Sequence, residues 1–438
     1  MRSLFGTDGI RARVGQEPLA ERGLVRLGMA IGAWAQEKSV RPAILIAGDP
    51  RASSPWVTTL LKGGLLQYPL VVRDAGVLPT PAVCALVKND ETFCAGVVIS
   101  ASHNPHYDNG IKLFAADGEK IGERDEEQIT DWYDQAEQCS HERFGSCEPL
   151  TRADRTYAAC VTANFGSGSL DGTRVVLDCA NGAMSRIAPR LFRSFGARVH
   201  AVCSRPNGIN INEDCGSTRP ERLCKAVVQR GADIGFAFDG DGDRIVAVNR
   251  HGQVRDGDDI LALLLTHRLY QRQPAVVGTV LSNYGLERMV TARGMNFYRA
   301  QVGDRSVAAE LRARDLLLGG EQSGHVLLRD HLPSGDGLFA ALRVAQAVRE
   351  TGNDDMITFD RVPQVLVSVS IARRMDLARE PLASIIERGK VVVADGRVLV
   401  RYSGTQNLLR VMVEHEDRTH ADRVVSQLSD ELQRALSH

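Results

Sequence analysis

The sequence predicts an α/β protein built from three similar α/β domains with mixed, mostly parallel sheets, followed by a small α+β domain. Short apolar runs typical of buried strands alternate with longer amphipathic stretches typical of helices. This alternation restarts twice along the chain, each time through a strand, a loop of small residues and a helix. The last stretch differs, because two strand-like runs flank a turn and precede one helix.

Each predicted element follows from a local pattern. The predicted strands are apolar runs that end in turn-forming residues, at 43–48, 95–100, 174–179, 232–238, 274–280 and 315–320. The predicted helices have apolar residues at helical spacing, at 18–38, 53–67, 183–195, 219–230, 256–270, 335–350 and 420–436. The restarts give predicted domains at 1–152, 153–254, 255–364 and 365–438, and the polar stretch 140–149 is interpreted as a linker.

The amino-acid composition indicates which partners and which cellular compartment to expect for this protein. A formal net charge of -1 disfavours a nucleic acid or an acidic membrane as the main partner. The nine cysteines are scattered without C-x-x-C pairs, which is typical of a reducing compartment. The sequence has no apolar signal segment and no run near the ~20 residues of a membrane span. We therefore expect a cytoplasmic protein, with a homodimer left open.

The first motif with chemical content is SASHNPHYDNGIK at 100–112, which follows a predicted strand. Its Asn-Pro pair interrupts regular structure, so Ser102 is predicted on a loop at the strand's carboxyl end, where ligands bind in open α/β sheets. A serine nucleophile needs a base or a metal, and His103 and Lys112 are available. The G-x-S-x-G elbow of hydrolases is missing. Taken alone, a turn with an incidental serine explains the segment equally well.

The second motif, DGDGDR, follows the apolar run ADIGFAF and places Asp239, Asp241 and Asp243 at alternate positions. Three crowded carboxylates repel one another unless a cation neutralises them, and oxygen ligands suit Mg²⁺. The intervening glycines let the backbone curl so that the carboxylates converge. An EF-hand is excluded because Arg244 occupies the place of its required glycine. The alternative is a solvated turn.

Three more loops carry groups that suit sugar hydroxyls or a phosphate, although an ordinary turn explains each one alone. A glycine-containing turn with hydroxyls and an arginine is a suitable nest for an oxyanion. A histidine beside such groups orients a phosphate or moves a proton. The candidates are Glu321, Ser323 and His325 in GGEQSGH, Arg401, Ser403, Gly404 and Thr405 in RYSGT with Arg410 beyond it, and Thr7 and Arg11 in FGTDGIR.

Together and in this order, FGTDGIR, ISASHNPHYDNGIK, DGDGDR, GGEQSGH and RYSGT resemble the motifs of the α-D-phosphohexomutase superfamily. They extend over almost the whole chain, so the resemblance is far more specific than any single motif. It implies four domains around a central cleft and the exchange of a phosphate between two positions of a hexose. The NGIK continuation, GEQSGH and QVGDR at 301–305 look like the subgroup that interconverts glucosamine 6-phosphate and glucosamine 1-phosphate.

The resemblance also implies roles for individual residues. It implies a phosphorylated Ser102 with His103 and Lys112 as further catalytic residues, and one Mg²⁺ per chain held by Ser102 and the three aspartates. A sugar 1,6-bisphosphate is implied as intermediate or activator, and the general base is left open between Lys112, His103 and another group. The implied substrate-binding residues are Thr7, Arg11, Arg244, Glu321, Ser323, His325, Arg401, Ser403, Gly404, Thr405 and Arg410.

Three positions depart from the family pattern, and three rival functions stay open. Ala12 stands where the family usually has glycine, and Gln406 and Asn407 stand where it usually has Glu-Pro. The rival functions are a phosphomannomutase or phosphoglucomutase, a phosphatase, and a non-catalytic phosphosugar-binding protein on the same fold. In each case we expect a small phosphosugar as the ligand.

Overall fold

Four β-sheets follow one another along the described chain, and each is the centre of one domain. In the computed structural model, the last domain has two helices and three strands, and each of the first three domains has more of both. The described residues are 4–6, 8–40, 42–136, 144–371, 373–402 and 407–436. Within them, no helix combines the length and apolar character needed to cross a bilayer.

Domain I contains a six-stranded sheet whose central strands are parallel. Its strands are Ile10–Arg13 (β1), Ala43–Gly48 (β2), Val71–Val77 (β3), Phe93–Ile99 (β4), Asp108–Ala115 (β5) and Ser146–Pro149 (β6). Its helices are Glu21–Lys38 (α1), Ser54–Leu65 (α2), Thr80–Asn89 (α3) and Glu123–Gln135 (α4). The strand order is β1-β5-β4-β2-β3-β6, with antiparallel pairing only where β5 meets β4 and β1.

Domain II has a five-stranded sheet of order β11-β10-β9-β7-β8. Its strands are Arg174–Asp178 (β7), Arg198–Val202 (β8), Ile234–Phe238 (β9), Ile245–Asn249 (β10) and Val254–Arg255 (β11). Its helices are Ala153–Thr162 (α5), Met184–Ser194 (α6) and Glu221–Arg230 (α7). β7 pairs in parallel with β8 and β9, so the carboxyl ends of these three strands meet at one edge.

Domain III repeats this plan with a four-stranded sheet of order β13-β12-β14-β15. Its strands are Ala275–Thr279 (β12), Asn296–Ala300 (β13), Leu318–Gly320 (β14) and Val326–Leu328 (β15). Its helices are Gly257–Leu264 (α8), Tyr284–Ala292 (α9), Asp304–Ala313 (α10) and Gly337–Thr351 (α11). Pairing is parallel except between β14 and β15.

Domain IV is smaller and entirely antiparallel. Its strands are Gln364–Ser370 (β16), Arg397–Tyr402 (β17) and Leu408–Glu414 (β18), in the order β16-β18-β17. Its helices are Leu382–Val393 (α12) and Arg418–Leu436 (α13). The predicted α/β class, with three similar domains and a small α+β domain, is therefore confirmed.

Burial explains why the apolar runs form strands. Along β2, Leu45 packs into one hydrophobic cluster, whereas its neighbours Ile44 and Ile46 pack into another on the opposite face. Helices α1 and α2 cover that second face, and α3 covers the first. Both faces of a parallel sheet are buried in this way, so the strand has no polar alternation.

Two local predictions are wrong. Residues 146–149 do not form a linker but β6, which pairs in parallel with β3. All four residues of β6 are exposed, so the strand forms through its backbone and has no apolar pattern to reveal it. The helix predicted at 256–270 ends at Leu264, after which the chain forms turns.

Candidate active site

Ser102 lies just beyond β4 and is fully buried. Its Oγ donates a hydrogen bond of 2.5 Å to Oδ2 of Asp239, which lies just beyond β9 in domain II. Its backbone has φ of 52°, in the left-handed region that side chains other than glycine seldom adopt. The fold therefore brings together the predicted nucleophile and the predicted metal loop, and holds the serine in a strained conformation.

Arg51, between β2 and α2, supports the loop that bears Ser102. Its buried guanidinium donates to the carbonyl oxygens of Ser102 and Asn104, both at 2.9 Å, and also to those of Pro105 and Asp108. Its Nε pairs with Oδ2 of Asp49 at 2.9 Å. One side chain thus fixes the course of the whole loop, and sequence reasoning missed it.

A second support for the same loop comes from domain II. Asn212 donates from Nδ2 to the carbonyl oxygens of Ser102 and Asn104, at 2.9 and 3.0 Å. On the other side, Ser100 accepts from the Ser102 backbone N–H and donates to Asp49. The backbone around Ser102 is therefore fixed from two domains before any ligand binds.

The three aspartates of DGDGDR converge as predicted. Each carboxylate offers an oxygen within 4.8 Å of the other two, and all three residues are buried. Oδ1 of Asp239 accepts from the backbone N–H groups of Gly242 and Arg244, which closes the turn. Gly242 has φ of 76°, so the turn uses the conformational freedom of glycine here.

Lys112 and Thr80 satisfy part of this acidic cluster. The Lys112 ammonium contacts Oδ2 of Asp241 at 2.8 Å and Oδ2 of Asp243 at 2.7 Å, and Thr80 donates to Asp241 at 2.6 Å. The Oδ1 atoms of Asp241 and Asp243 are buried and have no hydrogen-bond partner within the described part of the chain. Buried carboxylate oxygens without donors suit a hard cation, so the residues present fit Mg²⁺.

The pKa values of the cluster follow from its charges. Burial, together with the carboxylates of Asp243 and Asp241, raises the pKa of Asp239 well above its ordinary value. Burial would lower the pKa of Lys112, but the two carboxylates it contacts hold that pKa well above its usual range. Lys112 is therefore a fixed cation here and is poorly suited to take up a proton.

In contrast to Lys112, His103 has a side chain whose pKa is lowered by its surroundings. Its Nδ1 lies 3.3 Å from Oγ of Ser102. Burial, with the nearby guanidinium groups of Arg244 and Arg11, lowers the pKa of His103 to about 4. Its imidazole is therefore neutral near pH 7.

A further chain of charges joins domain I to domain III. Lys120 bridges the carboxylates of Asp8 and Asp304, and Asp8 also pairs with Arg11 and lies 3.4 Å from Lys112. Burial would raise the pKa of Asp8, but Lys112, Lys120 and Arg11 hold it well below its ordinary value. The sequence showed Asp8 only as part of FGTDGIR and gave no sign of Lys120.

His325 completes this network from the GGEQSGH loop. Its Nδ1 is 3.9 Å from Asp243 and its Nε2 is 3.6 Å from Asp304, so it lies between the metal loop and domain III. Nearby, Glu321 accepts a 2.9 Å hydrogen bond from the backbone N–H of Gly303, whereas Ser323 is exposed. The loop thus has one fixed carboxylate and one free hydroxyl.

Arg244 and the arginines of domain IV retain unused donors. Nε of Arg244, of Arg401 and of Arg410 is buried without a hydrogen-bond partner in the described ranges. Arg401 and Arg410 face each other across β17 and β18, and burial, with the charge of Arg410, lowers the pKa of Arg401. Two adjacent guanidinium groups with free N–H donors suit an oxyanion.

Not every predicted residue can be assessed. Thr7, Ser403, Gly404 and Thr405 lie outside the described residues. Among the residues described, no hydrogen bond or ion pair connects Arg401 or Arg410 to the cluster around Ser102. The described contacts therefore bring together Ser102, the three aspartates and His325 from the first three domains.

Comparison with known families gives consistent matches over the chain. Four consecutive stretches match the family models of phosphoglucomutase/phosphomannomutase. These are alpha/beta/alpha domain I at 2–139, domain II at 155–252, domain III at 256–360 and the C-terminal domain at 360–431.

Individual relatives agree. The phosphoglucosamine mutase of Marinobacter nauticus is 40% identical over 437 residues, with 98% of each chain covered. A phosphoglucomutase/phosphomannomutase family protein from Burkholderia thailandensis has the same fold, with a TM-score of 0.81, 23% identity and coverage of 100% of this chain and 97% of that one. The Aspergillus fumigatus N-acetylphosphoglucosamine mutase, solved with GlcNAc-6P and magnesium, gives a TM-score of 0.62 at 16% identity, covering 99% of this chain and 96% of its own.

Proposed function

The chain belongs to the phosphoglucomutase/phosphomannomutase family and to its phosphoglucosamine mutases, and from this we propose that it interconverts glucosamine 6-phosphate and glucosamine 1-phosphate through a phosphate carried on Ser102. As a member of that group it is an isomerase. The relatives' names favour glucosamine over the mannose or glucose phosphates of the rival readings. We propose domain bounds of 1–152, 153–254, 255–364 and 365–438.

One observation carries the proposal about chemistry. The hydroxyl of Ser102 donates directly to Asp239, within a buried group of three carboxylates, and its backbone is fixed from domains I and II. A serine held against a cation site is well placed to exchange a phosphoryl group, because phosphoryl transfer depends mainly on positioning and charge neutralisation.

Mg²⁺ would be held by Asp239, Asp241 and Asp243, with an oxygen on Ser102 as a further ligand. When bound, the ion would neutralise charge on the phosphoryl oxygens. The free Oδ1 atoms support this assignment, and the magnesium in the Aspergillus fumigatus enzyme agrees with it. We propose one ion per chain.

The reaction would proceed in two transfers. A sugar hydroxyl oxygen forms a bond to the phosphorus on Ser102 as the bond from phosphorus to Oγ breaks, which gives a 1,6-bisphosphate. After the bisphosphate turns over in the cleft, Oγ of Ser102 attacks the other phosphate and releases the isomeric monophosphate. Lys112, fixed against Asp241 and Asp243, would stabilise the charge of the transferred group.

His103 is the base we propose for the sugar hydroxyl. Lys112 is committed to two carboxylates, whereas His103 lies next to Oγ of Ser102 and is neutral. In the first transfer the imidazole passes that proton to the departing Oγ of Ser102, and in the second transfer it takes the proton from the attacking Oγ and gives it to the departing sugar oxygen. A His103→Gln variant should still accept phosphate on Ser102 from a bisphosphate but should turn over ~100-fold more slowly.

The remaining predicted residues would bind the substrate. Arg401 and Arg410, with Ser403, Gly404 and Thr405, would hold the phosphate that is not transferred. Glu321 and Ser323 would contact the sugar hydroxyls, with His325, Arg244, Arg11 and Thr7 around the transferring phosphate. The unpaired guanidinium donors in domain IV support the phosphate site. The cytoplasmic location expected from the cysteine pattern stays a prediction.

A coupled assay with glucosamine, glucose and mannose phosphates tests the function. We expect the highest kcat/KM with glucosamine phosphate, loss of activity in chelator, and recovery with Mg²⁺. Ser102→Ala should reduce turnover by at least ~1000-fold while the protein stays folded. A matched control is Ser429→Ala, which removes a buried hydroxyl from α13 in domain IV and should leave turnover unchanged.

Intact mass provides an independent check. Purified wild-type protein should carry a fraction with one added phosphoryl group, and Ser102→Ala should carry none. Full activity of Ser102→Ala in the presence of added bisphosphate would contradict the role of Ser102. Preference for mannose or glucose phosphate would instead contradict the sugar assignment alone.

A further inference from the structure

A second group of potential metal ligands lies in domain II and shares no residue with the three aspartates of the active site. Asp178 ends β7, Cys203 directly follows β8, and Cys215 lies on the loop before α7. Their spacing in the chain resembles no known metal motif, and the sequence pattern gave no reason to connect them. Because β7 and β8 are parallel neighbours, the fold brings these three positions to one edge of the sheet.

The ligand atoms of this group are close together. A carboxylate oxygen of Asp178 and the Sγ atoms of Cys203 and Cys215 all lie within 4.8 Å of one another. Asp178 and Cys215 are fully buried, whereas Cys203 is only partly buried. Two of the three potential ligands are therefore enclosed, and the third is partly exposed to solvent.

Neighbouring groups already orient these atoms. Asp178 accepts from the backbone N–H groups of Ala180 at 2.9 Å and Gly216 at 3.0 Å. The Arg222 guanidinium lies 3.4 Å from Sγ of Cys203. Such contacts fix the direction of a ligating carboxylate and balance the negative charge of metal-bound thiolates.

We propose that Asp178, Cys203 and Cys215 bind a thiophilic divalent ion of the zinc class, with a fourth position open to solvent. Two sulfur ligands favour such an ion over Mg²⁺, which prefers the all-oxygen set of Asp239, Asp241 and Asp243. Three protein ligands in a tetrahedral arrangement leave one position for water. Binding of this ion would not require the proposed mutase activity.

The site would brace the loop that bears the phosphorylated serine. The loop from Cys203 to Cys215 carries Asn212, which donates to the carbonyl oxygens of Ser102 and Asn104. An ion that ties both ends of this loop to β7 would restrict its movement. Binding to the folded state alone would also raise the thermal midpoint of the protein.

Titration with Co²⁺ tests the proposal on reduced, full-length protein under anaerobic conditions, with excess Mg²⁺ to fill the oxygen site. Thiolate ligands give Co²⁺ an intense charge-transfer absorption in the near ultraviolet that carboxylates cannot give. We expect this band to saturate at one equivalent and to bleach when Zn²⁺ is added. Zn²⁺ should also raise the thermal midpoint of the wild-type protein.

Substitutions identify the ligands. Cys203→Ser, at a partly exposed position, should weaken Co²⁺ binding at least tenfold and reduce the band, because one of the two thiolates is lost, and Cys215→Ser should do the same. Cys224→Ser is the matched control, because Cys224 is a partly buried thiol on α7 of the same domain, outside the cluster. That variant should bind Co²⁺ like the wild type.

Three outcomes would overturn the proposal. They are the absence of the band in fully reduced wild-type protein, an unchanged band in Cys203→Ser, and loss of the band in Cys224→Ser. A folded wild-type chain isolated with a disulfide between Cys203 and Cys215, which reductant opens without restoring Co²⁺ binding, would assign the pair to thiol oxidation instead.

Discussion

The guanidinium of Arg51 has no contact with the proposed chemistry, yet it donates to four carbonyl oxygens of the loop around Ser102 and to Asp49. Burial raises the pKa of Asp49 even though Arg51 opposes this. The pair is fully enclosed, so each charge depends on the other. Removal of one partner of a buried ion pair lowers the stability of the fold far more than removal of one partner of an exposed pair.

We predict that Arg51→Met lowers the stability of the Ser102 loop and of β2 and β4 by ~3–5 kcal/mol, because Asp49 is left as an unpaired buried charge. Native-state hydrogen exchange of amides in those strands would measure the change. Adding Asp49→Asn should recover part of the loss. If Arg51→Met alone keeps wild-type protection, the buried pair has no such role.

Asp258 should make the stability depend on pH. Burial, with the nearby carboxylate of Asp256, raises the pKa of Asp258 to about 7. Between about pH 4 and pH 7 the unfolded chain has therefore lost this proton, whereas the folded chain retains it. The free energy of unfolding consequently falls as the pH rises through this range. Asp258→Asn should reduce this loss by at most ~4 kcal/mol.

The thermal midpoint measured across that pH range should fall less steeply with rising pH in the Asp258→Asn protein than in the wild type. Its amide oxygen can still accept the 2.8 Å hydrogen bond from the backbone N–H of Asn283. Asp315→Asn provides the control, since the Asp315 side chain is 98% exposed. An identical decline in both variants would rule out Asp258 as the titrating group.

Sequence reasoning identified residues whose type and spacing carry chemistry, and missed those that act through the backbone. Ser102 and the three aspartates lie in short motifs directly after strands, so their places at the carboxyl ends of strands were predictable, and the family resemblance implied that they meet. Arg51 and Asn212 bind carbonyl oxygens that every residue has, and their partners are distant in the chain. Only the folded structure reveals that kind of contact.

At the scale of elements, two loops from different sheets touch through their backbones. A Cβ atom added to Gly240 would lie 2.6 Å from the carbonyl oxygen of Ser102, although Gly240 does not have a positive φ. The glycine is therefore required by the close approach of the metal loop to the serine loop. Any side chain at this position would push the two loops apart.

We predict that Gly240→Ala lowers kcat/KM by ~10–100-fold, because a displacement of about 1 Å misaligns reacting groups. Apparent Mg²⁺ affinity should fall as well, which a Mg²⁺ titration of activity would measure. Gly63→Ala is the control, as its added Cβ on α2 meets nothing within 4 Å. Equal activity in the two variants would contradict the tight contact.

Element prediction succeeded where burial sets the pattern. The parallel strands β2, β4, β7, β9 and β12 are apolar on both faces and were predicted to within about two residues. The exposed edge strand β6 was not, because backbone pairing alone holds it. The antiparallel partners β1 and β5 were also missing from the predicted strands, since a motif rich in polar residues runs through them.

In the molecule as a whole, domains I, II and III share one hydrophobic cluster, whereas domain IV packs around a cluster of its own. One hydrophobic cluster runs from Leu45 in domain I through Phe236 in domain II to Phe339 in domain III. Domain IV has a cluster of its own, and polar contacts connect it to domain III. In particular, Arg397 donates to the carbonyl oxygens of Val280 and Ser282 and pairs with the buried Glu414.

We predict that Arg397→Met loosens the attachment of domain IV by ~3–5 kcal/mol, since Glu414 is left buried and unpaired. Limited proteolysis in the segment 352–363 should become faster, and KM for the phosphosugar should rise if domain IV supplies the phosphate site. Arg379→Ala, at an exposed position of the same domain, should change neither. Unaltered cleavage of Arg397→Met would indicate that other contacts hold the domain.

The left-handed backbone at Ser102 suits glycine, whereas the proposed chemistry requires the serine hydroxyl at the same position. Alanine keeps the unfavourable conformation, whereas glycine adopts it freely, so Ser102→Gly should melt higher than Ser102→Ala by an amount corresponding to about 1 kcal/mol. Both variants would be equally inactive. Once the nucleophile is lost, a laboratory selection for thermal tolerance alone would therefore favour glycine at this position, and a screen for tolerant variants of this enzyme must also demand turnover.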